Sequence, residues 1–484
     1  MAGTSLPWLT RFLLRFFLGV YRTIALRVLT VRRRLFGERS SPADERVLTG
    51  AAWSEFCDTL KSAGGALVAP GAPQDAFNQA EGYRYLARLA RAGLENFLEC
   101  SDVEAPQLCA IANGSRAARI CIGSDNPDNL YENATIDGGL EYVVTGTRGT
   151  VQYLGFGTQS GQYGGKGGLS TVDYLEAEQL VFDPSRGAVA PAERTFELVL
   201  SAVRPPDVRN WLRLVSEPRE AMFIVRQNFG ARSKEVPSSL RTNLHPHPHP
   251  NSNPHPRPHP HPHPHPHPHP HPHPHPHQVP ASLRIARRTS AGGVAVPRPL
   301  TSARLDEGLQ SAAVLAAGAS SMFSKWARDF QSHTNTLPLF DQQRSNLAGG
   351  DPNIRYYHSY WRLAPGEVLR IRARPPPCRA WNFQLNNHWM ESLDYRYHRV
   401  HTNSTLARPD EDDPGAVTIL ISHSDPSADG VFRGNRIETV GHTCGTMCFR
   451  WIAPRVPDEL LPHPVAEVLS FDELMRTDAS GHCL

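Results

Sequence analysis

At 484 residues the chain has room for two or three domains, and with 40% hydrophobic residues most of it can bury a core. The formal charge of +3 is unevenly spread: seven arginines and no acidic residue precede Glu38, which leaves about −4 for the remainder. A mildly acidic body excludes nucleic acid as a main partner. Eight cysteines in a chain this long exclude a disulfide scaffold and read as free, buried thiols.

The first segment, Leu6 to Leu35, is apolar but punctuated by arginine. At about 100° per residue, Arg11, Arg15, Arg22 and Arg33 fall on one helical face. A spanning helix needs about 20 apolar residues without central charges, and Arg15 and Arg22 would sit mid-bilayer. A secretory signal needs an uncharged run of at least about 7 residues, and only six lie between those arginines. Three readings fit residues 1–40. One is a basic helix in the membrane interface through residues 6–35, which makes the protein membrane-associated. The second is a mitochondrial presequence, and the third an ordinary helix packed on the body.

Residues 41–115 read as helical, with Asp75 capping a long helix whose apolar positions Phe77, Tyr85, Leu89 and Phe97 recur at helical spacing. From 116 to 231 the pattern turns to short β runs: Ala118–Ile122, Glu141–Thr145, Thr150–Gly155, Gln179–Phe182 and Phe196–Ser201. Gly155–Gly168 is expected to be a flexible loop without a phosphate-binding spacing. Val208–Leu214 and Pro218–Gln227 are expected to be helices covering the sheet. Residues 232–300 are expected to form a disordered linker, because proline alternates with histidine from His245 to His277. His259, His261 and His263 stand in that tract for adventitious metal binding by dense imidazoles.

Residues 301–345 carry a second amphipathic helix, Leu305–Phe330, and a connection. Residues 346–460 return to strands at Tyr356–Leu363, Val368–Ala373, Trp381–Leu385, Val417–Ser422 and Met447–Ile452, a spacing that suggests a sandwich or jelly roll. Residues 461–484 read as a tail.

Trp381-Asn382-Phe383-Gln384-Leu385, Trp389 to Tyr395 and Gly441 to Trp451 resemble the family catalogued as domain of unknown function 1214. Asp125 to Asp128, Ala134 to Gly138 and Glu81 to Leu86 resemble its N-terminal half. The resemblance implies a mainly β fold of two β-sandwich domains, the second jelly-roll-like, with an N-terminal helical region and a helix before the second sandwich. It implies no activity and no catalytic residues. The chain departs from the family pattern at Asn435-Arg436-Ile437-Glu438 and in a longer preceding loop.

Asn382, Gln384 and Asn386 alternate along one strand and share a face. Such a carboxamide row, with Trp389 beside it, suits a polar ligand, or else binds loop backbones inside the sandwich. Glu391 and Asp394 are spaced for acid–base work, with His388 and His442 as further catalytic candidates, or else they cap turns and pair with Arg396 and Arg399. His358, His398, His401 and His423 complete a histidine-rich domain, and His442 with Cys444 and Cys448 forms a trio of soft ligands. No metal or other cofactor is expected in the fold. There is no Gly-x-Ser-x-Gly elbow and no His-Glu-x-x-His helix. Two function classes remain: a membrane-associated protein that binds a small polar or amphipathic ligand, and a hydrolase- or lyase-type enzyme. A purely structural role is a third.

Overall fold

The computed structural model describes residues 8–36, 40–112, 120–165, 168–184, 190–231, 279–289, 296–425 and 434–479. The His-Pro tract, with His259, His261 and His263, lies outside the described residues.

The chain opens with α1 (Trp8–Phe36), α2 (Pro42–Leu48), α3 (Ala51–Ala63) and α4 (Ala76–Leu94). Asp75 caps α4 as expected, its carboxylate accepting from the Asn78 backbone N–H. A longer helix, α5 (Ser302–Phe330), packs across α3 and α4 before the second sandwich, followed by α6 (Gln342–Leu347). Small residues let these helices approach closely: a Cβ on Gly93 of α4 would lie 2.7 Å from the Ala312 Cα of α5.

The first sandwich has two sheets. One runs, in spatial order, β1 (Cys109–Ala112), β2 (Asn129–Asp137), β8 (Glu220–Asn228), β4 (Tyr153–Gly161) and β5 (Leu169–Glu176). The other runs β7 (Trp211–Arg213), β6 (Thr195–Ser201), β3 (Tyr142–Thr147) and β9 (Ser282–Arg287). Ile136, Phe156, Leu198 and Phe223 are among the residues that fill the space between them.

The second sandwich pairs β10 (Ile354–Arg362), β16 (Cys444–Ile452), β12 (Ala380–Leu385) and β13 (His401–Asn403) against β15 (Asn435–Glu438), β14 (Val417–Ser422), β11 (Glu367–Ala373) and β17 (Val465–Ser470). Trp361, Ile371, Phe383, Ile419 and Phe449 interdigitate in its core. The architecture is mainly β, with two sandwich domains, the second jelly-roll-like with a parallel β14–β15 pair near one edge.

Several local expectations change. Val208–Leu214 and Pro218–Gln227 are not helices; they contribute strands β7 and β8. β8 is central and buried on both faces, which erases the alternation that marks a half-exposed strand. Half of the expected Gly155–Gly168 loop is strand β4, where a Cβ on Gly155 would collide with the Tyr174 side chain. Gln179–Phe182 is a 3₁₀ turn and irregular chain, and Ile120–Ile122 is not a strand. The interval 232–300 is not all linker, because β9 returns from it to pair with β3. The expected tail supplies β17 and α7 (Phe471–Ala479), whose Leu474 is buried with Val368 and Leu420. Not all cysteines are free thiols: Cys100 and Cys109 are bonded where the chain turns from the helical region into β1, and Cys57 is exposed.

Candidate functional site

Strand alternation builds the site. On β16, Met447, Phe449 and Trp451 point into the second sandwich, so Thr446, Cys448 and Arg450 point out of it. On β8, Phe223 and Val225 point into the first sandwich, so Ile224 and Arg226 point out. Yet all of these side chains are buried. The outer faces of the two sheets are pressed against each other, with α5 along one side. Tyr131, Tyr153, Tyr356 and His358 come to this seam by the same alternation on β2, β4 and β10.

The carboxamide row lies in the seam and is fully committed. Gln384 Nε2 donates to the Asp125 carbonyl at 2.8 Å, Asn382 Nδ2 to Asn126 Oδ1 at 3.2 Å, and Asn386 Nδ2 to Ser124 Oγ at 3.0 Å. All three are at most 1% exposed. Arg450 Nη1 donates to Gln384 Oε1 at 2.6 Å and Asn382 Oδ1 at 3.3 Å, while its Nη2 donates to the Ser124 carbonyl. The row therefore aims Arg450 and holds the Ser124–Asn126 loop of the first sandwich. It does not itself line the cavity, which corrects the expectation that it receives a ligand. Trp389 is likewise structural: it is fully buried, its indole donates to the Asn78 carbonyl at 2.9 Å, and its ring packs on Gly82 of α4.

What these groups hold in place is a cavity of about 110 Å³ in the seam. Arg226 and Arg450 line it from opposite domains, with Tyr131, Tyr163, Tyr356 and His358. Ile224, Phe323 and Trp326 make an apolar wall. Arg226 Nη2 donates to the Gly349 carbonyl at 2.6 Å. Gly349 has φ +77°, a left-handed backbone that brings this carbonyl to the guanidinium without steric cost. Neither arginine is ion-paired to a carboxylate among the described residues. Asp125 lines the same cavity, and it and Asp351 favour the charged arginines without touching them; their hydrogen bonds run to other groups, Asp351 accepting from Tyr153 at 2.8 Å and Asp125 from Ser392 at 2.7 Å. Burial holds the Tyr131, Tyr163 and Tyr356 hydroxyls protonated, with pKa values above the usual tyrosine value.

His358 is stacked between Phe330 and Tyr356, with ring centroids at 5.5 and 5.6 Å. Burial, reinforced by Arg450 and Arg344, pushes it down to about 3. It is neutral at physiological pH, and its buried Nδ1 has no hydrogen-bond partner. Two larger hollows, of about 660 and 880 Å³, are open grooves on the first sandwich that contain no buried charged side chain among the described residues.

The catalytic candidates do not converge. Glu391 pairs with Arg88 of α4 at 2.5 Å and accepts from Asn387 at 2.8 Å. Asp394 pairs with Arg396 at 2.7 Å. His388 Nδ1 meets the Tyr360 hydroxyl at 3.0 Å, and burial lowers its pKa to about 4. His442 packs edge-on against Phe77 and contacts the Thr439 carbonyl. Among the described residues no three His, Cys, Asp or Glu side chains are grouped to hold a metal. Cys444 and Cys448 share a face of β16, but four residue steps along the strand hold them about 13 Å apart.

Sequence reasoning missed Arg226 as a site residue and treated Arg450 only as part of the family resemblance. The signal was present: Arg450 is a lone arginine inside an apolar run, Cys448-Phe449-Arg450-Trp451, and Arg226 closes one, Ala221-Met222-Phe223-Ile224-Val225.

Fold and site together define a two-sandwich β protein with a donor-lined cavity between its domains. No family model and no curated protein matches the chain. Among solved structures it is 36% identical to an uncharacterized protein from Burkholderia cenocepacia, covering 88% of this chain and 99% of that one with a TM-score of 0.69. The chain belongs to the same family as that protein. A Vibrio parahaemolyticus protein matches at 10% identity and a TM-score of 0.40, over 80% of this chain and 98% of that one.

Proposed function

We propose that the protein binds a small organic acid between its two sandwiches. One observation carries the reading: two buried guanidiniums, one from each domain, line a single cavity, and Asp125, which lines it too, is bonded to Ser392 and forms no salt bridge with either. Neutral acceptors and acids out of contact offset the burial of a cation only in part, and a bidentate carboxylate or similar oxyanion offsets it best. Three tyrosine hydroxyls add further donors, so the lining favours a ligand rich in acceptors. The apolar wall takes a short carbon skeleton. Ordinary ligand pockets measure about 300–1,000 Å³ and one water takes about 30 Å³, so a volume near 110 Å³ suits an acid of only a few heavy atoms. Binding is preferred to catalysis because Glu391 and Asp394 already have structural partners. Membership in domain of unknown function 1214 belongs to the same proposal and supplies no reaction.

The test is thermal unfolding of the full chain with acetate, lactate, malonate and inorganic phosphate. At 100 times Kd a ligand adds about 2.7 kcal/mol, a rise of a few degrees in a protein this large. At least one carboxylate should raise the midpoint in the wild type. The rise should shrink in Tyr163→Phe and vanish in Arg226→Met. A midpoint that no probe moves, or that moves equally in the variants, would overturn the reading.

A further inference from the structure

The helix α1 has a feature that the cavity does not explain. It touches the body along one narrow seam: Arg22 Nη2 donates to Ser54 Oγ at 2.5 Å, and Ala25, Leu26 and Thr30 are half-buried beside it. At about 100° per residue, the opposite side of the helix carries Leu13, Phe17, Ile24, Val28, Val31 and Leu35. All six are exposed, Phe17 by 63% and Leu35 by 72%. The stripe is continuous, bulky, and faces directly away from the protein. Monomeric soluble proteins rarely leave an apolar surface of this extent uncovered.

The charges identify what covers it. Arg27 and Arg32 are exposed and flank the stripe on its two sides. No acidic residue occurs before Glu38. No described helix is long and apolar enough to cross a membrane. A helix with a wide apolar face, flanking arginines and no acid lies flat in the headgroup boundary, its arginines reaching lipid phosphates while the apolar side chains enter the acyl region. We infer that α1 docks the protein on an anionic bilayer surface, parallel to the membrane, with the body held off by the Arg22 side of the helix. A second copy of the chain would cover the apolar stripe, but would bring the flanking arginines of two helices together without acids to neutralise them.

The experiment is co-sedimentation of the full chain with sucrose-loaded vesicles. One set is pure phosphatidylcholine; the other contains 30% phosphatidylglycerol. Partitioning into the anionic set should exceed the neutral set by at least tenfold, and should fall severalfold when salt rises from 0.1 to 0.5 M, as the Debye length shortens from about 10 to about 4 Å. Phe17→Glu and Ile24→Glu should each abolish binding without moving the thermal midpoint, because neither side chain packs on the body. Equal binding to both vesicles, or undiminished binding by the variants, would overturn the inference. So would a dimer in solution that Phe17→Glu dissociates, or mitochondrial import followed by removal of the segment.

Discussion

Helices α1 and α5 are both 29 residues long, and both carry an apolar stripe at helical spacing. Their fates differ completely. α5 buries Leu309, Ala312, Ala316, Phe323 and Phe330 against α3, α4 and the second sandwich. α1 leaves its whole stripe in the open. The difference lies in residue size. α5 mixes alanines and Gly308 with a few large rings, so other helices can come close and the rings have gaps to fill. The stripe of α1 is bulky throughout, with no facing groove of matching shape. Periodicity reports that a face must be covered, whereas residue size indicates whether protein or a softer medium covers it.

Truncation separates the two helices most widely. Phe330→Ala should cost about 3–5 kcal/mol in chemical denaturation, while Phe17→Ala should stay within about 0.5 kcal/mol of wild type. A large loss at Phe17 would mean that α1 packs on the body after all.

The glycines at the two helices differ in the same way. Gly93→Ala forces a methyl group against the α5 backbone at Ala312, and overpacking of this kind costs about 1–3 kcal/mol. Nothing lies within 4 Å of a Cβ at Gly19 in α1. Gly19→Ala should instead favour the helix by up to about 1 kcal/mol, read as a small gain in ellipticity at unchanged global stability.

The smallest effect is a pH response at the α5 side. His358 stacks on Phe330, and burial depresses its pKa to about 3. The unfolded chain takes up a proton on this ring near pH 6.5, where the folded chain does not. Its contribution is therefore complete above about pH 6.5 and is lost as pH falls toward 3. Between pH 6.5 and 5.5 the loss of stability read by denaturation should be smaller in His358→Phe than in wild type by on the order of 1 kcal/mol, the remainder belonging to His388 and His442, which burial also lowers. Equal losses in both proteins would place the pH dependence elsewhere.

The fold was largely legible where strands end in strong punctuation. Val417–Ser422 and Trp381–Leu385 are bounded by Pro, Gly and Asn, and the structure places β14 and β12 there. Asp75 marked the start of α4. Glu220–Asn228 was illegible because burial on both faces removes the polar half of the alternation. β9 was hidden behind a long proline-rich interval, where no local pattern predicts a return to β3. The carboxamide row was found for the right reason, its shared strand face, but its partners come from a loop more than 250 residues earlier in the chain. The arginines it positions become recognisable only once the two domains are seen face to face.

The Ser124–Asn126 loop ties the stability of one sandwich to that of the other. Ser124 and Met390 both adopt left-handed backbone, with φ of 59° and 57°, and the Ser124 N–H donates to the Met390 carbonyl at 2.7 Å. Non-glycine residues hold that conformation only where surrounding contacts impose it, and here each helps to impose the other across the domain seam. Parting the sandwiches breaks this clasp together with the carboxamide ladder. The two sandwiches should therefore unfold as one unit, since neither can part from the other without losing this clasp and the contacts of Arg450.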